Sequence, residues 1–192
     1  TGRQFRMGGD ALLRLKGSTV QLQRGSLIGW IKPGLKNRQP FRIQTRLATA
    51  SIQGTTVFIE LTDEKLKIFS WEGEVNVSTT NGESYTLQGG EQLLVDLNQP
   101  TISWSPPVKI TEAEVTRRLT KSRLINGFST PMDTLQDIER ELGVKALNPD
   151  GAAVAGLFRS FRYCVSRTFS FTTFSRLPIM VGNGRNLGVD RA

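Results

Sequence analysis

A chain of 192 residues, 38% apolar with a mean hydropathy of −0.25, has room for one ordinary domain with appendages, and it holds no apolar run of about eighteen residues that could cross a membrane as a helix. The absence of histidine and the single cysteine, Cys164, exclude Ser-His-Asp triads, thiolate zinc clusters, a Cys-X-X-Cys redox pair and any intrachain disulfide. The net charge of +8 is unevenly placed: residues 1–48 carry ten Lys or Arg against one acid, residues 49–107 two lysines against eight acids, and residues 108–192 thirteen basic against eight acidic residues.

The chain opens TGRQFRMGGD, with neither an initiator Met nor the apolar core of a signal peptide, so we expect a fragment or a processed form. From residue 11 to about 97 it is a series of short alternating runs. ALLRL (11–15) ends at Lys16-Gly17, STVQLQ (18–23) at Arg24-Gly25, and SLIGWI (26–31) at Lys32-Pro33-Gly34. A polar loop, LKNRQ (35–39), precedes PFRIQT (40–45), where Phe41 and Ile43 alternate with Arg42 and Gln44. In ATASIQGTTVFIEL (48–61) two runs meet at Gly54, which reads as a bend between strands. Asp63-Glu64-Lys65 forms a hairpin loop before LKIFSW (66–71), and Glu72-Gly73 separates that run from EVNVST (74–79). Asn81-Gly82 signals a two-residue type I′ hairpin; SYTL (84–87), Gly89-Gly90 and QLLVDL (92–97) complete the set. Period-two alternation means one buried and one wet face. About ten such strands predict an all-β sandwich, roll or short solenoid-like stack.

Pro100, Pro106 and Pro107 mark a change to helical character. TEAEVTRRLTKSRLI starts with the capping-box pair Thr111 and Glu114 and stops at Asn126-Gly127. TPMDTLQDIERELG has Thr130 as N-cap, Pro131 at the first helical position and Gly143 as the left-handed stop. Met132, Leu135, Ile138 and Leu142 form its apolar stripe, expected to dock on the same chain; Asp133, Asp137, Arg140 and Glu141 lie opposite. After Asn148-Pro149 neither period persists, and the stretch to residue 192 reads as a basic, aromatic, poorly ordered tail.

No phosphate-binding GxxxxGK[ST] loop occurs, and Gly182 and Gly184 of VGNG lack the strand-to-helix context of a dinucleotide site. Cys164 has no imidazole to activate it. The carboxylates Glu72, Glu74 and Glu91 would matter for catalysis only if a cleft gathered them. The basic first third reads as a solvated face or as a footprint for an anionic partner; without interleaved aromatics it argues against nucleic acid.

Taken together, PFRIQTRLATASIQGTTVFIEL, LKIFSWEGEVNV and YTLQGGEQLLV resemble the FecR-type domain over about half the chain. The matching positions are Phe41 and Thr45, Ala48, Ala50 and Ile52, Gly54 and Thr55, Glu72, Gly73, Glu74 and Val75, and Gly90. The resemblance implies a FecR-like β domain over 10–98; the prolines then mark a linker over 99–110, the helical runs a two-helix appendage over 111–147, and the loss of period the tail over 148–192. It further implies a non-catalytic periplasmic or extracellular domain, with no catalytic residue, cofactor or metal. Such a domain acts through a protein or cell-envelope partner, in some members within iron-linked signal relay to a sigma factor. The competing expectation is a structural or adhesive β domain holding an anionic polymer such as peptidoglycan, polysaccharide or lipid headgroup.

Overall fold

Leu13, Val20, Leu22, Phe41, Ile43, Ile52, Val75, Val77 and Leu87 sit two apart in their runs, and each side chain is buried. That pattern is satisfied only by strands that turn one face inward. The computed structural model describes residues 2–32, 39–145 and 169–170. Among them the strands are β1 (Arg3–Met7), β2 (Leu12–Lys16), β3 (Thr19–Ile31), β4 (Phe41–Gln44), β5 (Ala48–Ile52) and β6 (Thr56–Leu61). They continue as β7 (Lys65–Glu72), β8 (Val75–Thr79), β9 (Ser84–Leu87), β10 (Glu91–Asp96), β11 (Val108–Lys109) and β12 (Phe169–Ser170).

The protein is mostly β, with one curled sheet in the order β11-β10-β7-β6-β3-β4-β5-β8-β9. β1 and β2 also pair with β3, and β12 pairs with β1. All pairings are antiparallel except β3 with β4. The curl comes from β3. Its residues 19–24 pair with β2 and β4, while residues 25–31 pair with β1 and β6. The sequence reading ends one strand at Arg24-Gly25 and starts another; the structure instead runs a single strand through this point. Gly25 has φ +86, and a Cβ there would lie 2.5 Å from the Cα of Ala11, so the bend needs a residue without a side chain. A bulge at Gln23 of β3, skipped where Leu12 pairs with Arg24 and Leu13 with Leu22, accompanies it.

The inward faces of both halves close on one apolar core, from Phe5, Leu27, Val57, Ile59 and Ile68 on one side to Phe41, Ile43, Ala50, Ile52 and Val75 on the other. The halves approach closely at Gly29, where a Cβ would meet Ile43 Cδ1 at 2.8 Å. Trp104, in the proline-rich stretch, stacks on Tyr85 and packs against this core.

Asn81-Gly82 turns the chain, but not as a two-residue loop. Thr79 N–H donates to Glu83 O, the Thr79 hydroxyl accepts from Glu83 N–H, and Thr80 N–H donates to Leu47 O. The loop is therefore the three residues 80–82, with Gly82 at φ +92.

Helices α1 (Glu112–Lys121), α2 (Arg123–Asn126) and α3 (Leu135–Leu142) follow. Thr111 caps α1 by accepting from Glu114 N–H, but the Glu114 carboxylate turns to Arg117 and Arg118 instead of completing the box. The single helix expected up to Asn126 breaks at Ser122, whose hydroxyl caps α2 through Ile125 N–H. Asn126 Nδ2 donates to Leu119 O and Thr120 O, carbonyls that the break would otherwise leave unpaired. Gly143 ends α3 at φ 68, as the sequence implies. The N-cap is Thr134 rather than Thr130. Apart from residues 169–170, the tail beyond residue 145, Cys164 and the VGNG stretch included, lies outside the described residues, as does most of the 35–39 loop.

Candidate functional site: the seam between the rolled sheet and the helices

β3, β6 and β7 are apolar on their outer faces too. Ile28, Trp30, Phe58, Phe69 and Trp71 point away from the roll and meet Val115, Leu119, Leu124, Ile125, Met132, Ile138 and Val144 in a second core. The α3 stripe docks on its own chain through Met132 and Ile138, with Leu135 and Leu142 at its margin. Phe69 and Trp71 pack edge-to-face at 4.9 Å.

Two polar devices pierce this seam. The first is Arg6 on β1, whose guanidinium donates to the carbonyls of Leu124 and Ile125, both at 2.9 Å, and of Thr130. It sits 4.4 Å from the Phe128 ring centroid and 5.4 Å from that of Trp30. Burial lowers its pKa to about 10, against the opposing pull of Asp133, so it stays charged at neutral pH. The basic first third is thus not wholly a solvated face: Arg3 and Arg6 are buried, and Arg3 donates to Gln39 O.

The second device joins the Gly-Thr and Glu-Gly positions, sixteen residues apart in sequence between Thr56 and Glu72. A register shift beside Thr56 sets Glu72 opposite it, and the Thr56 hydroxyl donates to Glu72 Oε1 at 2.9 Å. Thr56 Oγ1 also lies 2.8 Å from Thr134 Oγ1 on the helical side. That bond draws the Thr134 hydroxyl away from the α3 amides, which explains an N-cap with no side-chain cap. Gly73 N–H donates to both oxygens of Glu141, at 3.0 and 2.9 Å. A Cβ on Gly73 would run into Thr55 Cγ2. Glu72 is only 6% exposed. Its pKa is pushed up to about 7, first by burial, with Glu141 and Asp137 adding like-charge repulsion and the Thr56 hydroxyl opposing. Trp30 Nε1, Trp71 Nε1 and Thr55 Oγ1 are buried with no hydrogen-bond partner among the described residues.

The positions read as motif divide between the two cores. Phe41 and Val75 lie in one inward row, Phe41–Ile52–Val75–Leu87, inside the roll. Thr45 is a buried turn residue whose hydroxyl donates to Ala48 O and accepts from the amides of Leu47 and Ala48. Gly54, Thr55, Glu72 and Gly73 belong to the seam's edge; Gly54 has φ +74 in open space, so conformation alone demands glycine there. Gly90 is buried at φ +83, where its N–H donates to Ser70 O and its carbonyl accepts from Ile110 N–H. The three acids considered for catalysis are not gathered. Glu72 is in the seam, Glu74 accepts from Asn76, and Glu91 accepts from Gln88 N–H. Among the described residues no group of three His, Cys, Asp or Glu side chains is arranged to hold a metal ion. Sequence reasoning missed Arg6, Thr134 and Glu141. The only local signal for Arg6 was its place between Phe5 and Met7 in an uncounted strand.

The outer face of the other half is polar. Two cross-strand rows traverse it: Lys16, Thr19, Arg42, Ser51, Asn76 and Thr86, and beside them Arg14, Gln21, Gln44, Thr49, Ser78 and Ser84. Gln21 Nε2 donates to Gln44 Oε1 at 3.0 Å. Neither row contains an acid, and the cations lie at one end.

No family model matches the chain, and no curated protein matches it. Two crystal structures from Parabacteroides distasonis ATCC 8503, each described as a candidate anti-sigma factor, are similar over part of it. One, at 1.65 Å resolution, has TM-score 0.43 and 17% identity, covering 72% of this chain and 62% of its own. The other, at 2.50 Å, has TM-score 0.42 and 18% identity, covering 66% and 58%. This chain spans about three fifths of the length of each.

Proposed function

We propose that this chain is a non-catalytic regulatory or signalling domain of the FecR type, acting outside the cytoplasm through a protein partner of the cell envelope. The observation that supports this reading is the fate of the motif residues. Glu72 and Gly73, together with Thr56 beside the Gly-Thr position, are used to join a rolled sheet to a helical unit, with no activated nucleophile among them. A domain whose distinctive residues build a joint between two bodies suits the transmission of a binding event better than it suits turnover. Photo-crosslinking from exposed helix positions such as Gln136, in cells carrying the full-length gene product, tests it. The expected result is one envelope protein joined in the periplasmic or extracellular fraction. Recovery of the chain solely in the cytoplasm overturns the reading.

The acid-free rows around Arg14, Lys16 and Arg42 favour a second reading, a domain resting on an anionic envelope polymer. That reading requires retention on a polyanionic glycan that weakens steeply with added salt.

A further inference from the structure

We propose that Glu72 is a protonation-dependent latch: its neutral carboxyl holds the helical unit against the rolled sheet, and its ionisation loosens that unit while the roll stays folded. The proposal stands whatever partner the protein has.

The geometry carries the argument. The Glu72 carboxyl is enclosed where β6, β7 and α3 converge, and its polar contact is the Thr56 hydroxyl. Thr56 passes the connection to Thr134, at the start of α3, so the bridge from sheet to helix runs through neutral groups. The charged groups facing it from α3 are Asp137 and Glu141, both acids. Arg140 is engaged with Asp137 at 2.9 Å on the exposed side. Neighbouring Glu74 is solvated and held by Asn76. No Lys or Arg bonds Glu72 among the described residues; Lys65 and Lys67 on β7 pair with Glu60, and Arg117 and Arg118 on α1 pair with Glu114. A second negative charge placed here has no counterion, and Glu141 cannot retreat without giving up the Gly73 amide. A protonated carboxyl can instead donate a hydrogen bond within the seam.

The sign follows from burial. In the docked state Glu72 keeps its proton up to about pH 7; released into water it would ionise near the ordinary value of 4.5. The docked state therefore binds the extra proton between these limits. Docking is strongest below pH 4.5 and weakens as pH rises to about 7. Undocking exposes Trp30 and Trp71, two of the three tryptophans, which provides an optical signal.

The test uses the full chain between pH 4.5 and 8. Amide exchange, corrected for intrinsic rates, is followed in α3 and in β5 and β8, together with tryptophan emission. The expected result is a loss of α3 protection of the order of a hundredfold across the range, with a red-shifted emission and unchanged β5 and β8. Glu72→Gln keeps a neutral polar group at the site and is expected to hold α3 protected throughout. A flat α3 profile in the wild type, or the same loss in Glu72→Gln, overturns the proposal. A 13C titration of the wild-type Glu72 carboxyl is independent of any variant; a midpoint near 4.5 also overturns it.

Discussion

The two cores of this protein are built on opposite faces of the same strands and differ in kind. Inside the roll, Leu27, Val57, Ile59 and Ile68 meet apolar side chains from the other half, and the flanking charges Glu60 and Lys67 pair with each other on the outer face. In the seam, the outward neighbours Ile28, Trp30, Phe58 and Phe69 share their space with a buried guanidinium, a buried carboxyl and two indole N–H groups without acceptors among the described residues. A dry interior gains from every buried methylene and has no group whose titration would loosen it. An interface pierced by polar groups depends on each pairing being kept. One body is a fixed platform, and the other is attached to it conditionally.

Three substitutions break or sharpen that contrast. The largest effect is expected from Phe41→Ala, which empties the middle of the roll where Phe41 is fully buried. A loss of about 3–5 kcal/mol should appear in denaturant melts and should affect sheet and helices alike, because the helices have no platform without the roll. Arg6→Met is expected to cost about 2–3 kcal/mol by leaving the carbonyls of Leu124, Ile125 and Thr130 without their donor. Its signature is regional: exchange accelerates in α1 to α3 while β5 and β8 stay protected. Uniform acceleration would erase the distinction between the bodies. Gly54→Val should cost least, about 1–2 kcal/mol, as the price of φ +74 for a β-branched residue with no steric clash to add. If Gly54→Val melted at the wild-type temperature, the bend would not require glycine.

The strands were legible in the sequence because alternation is local: Val75 and Val77, or Phe41 and Ile43, declare an inward face without reference to partners. The α3 stripe and its stop at Gly143 were legible for the same reason. What failed to show depended on distant chain. Arg24-Gly25 has the composition of a turn, and it is the pairing of Arg24 with Leu12 and of Gly25 with Leu61 that makes a continuous bent strand of it. Thr130 and Thr134 are equivalent as caps by type, and Thr56, 78 residues before Thr134, settles the matter by engaging the Thr134 hydroxyl. Arg6 looked like one more solvated cation because its hydrogen-bond partners lie at least 118 residues away. Charge and composition describe a residue's cost in water, whereas the seam is made of residues whose role is set by what arrives from elsewhere.

The bent strand β3 has a kinetic consequence. It touches β1, β2, β4 and β6, so neither half of the roll can be completed before residues 19–31 are in place. The hairpin with β2 closes quickly, but the parallel pairing of Val20 with Ile43 and the antiparallel pairing of Leu27 with Ile59 each close longer loops. Those closures lose chain entropy before the core returns any of it, and they converge near Gly25 and Gly29. The folding transition state is expected to be organised around this strand, with the helices condensing afterwards on a surface already made.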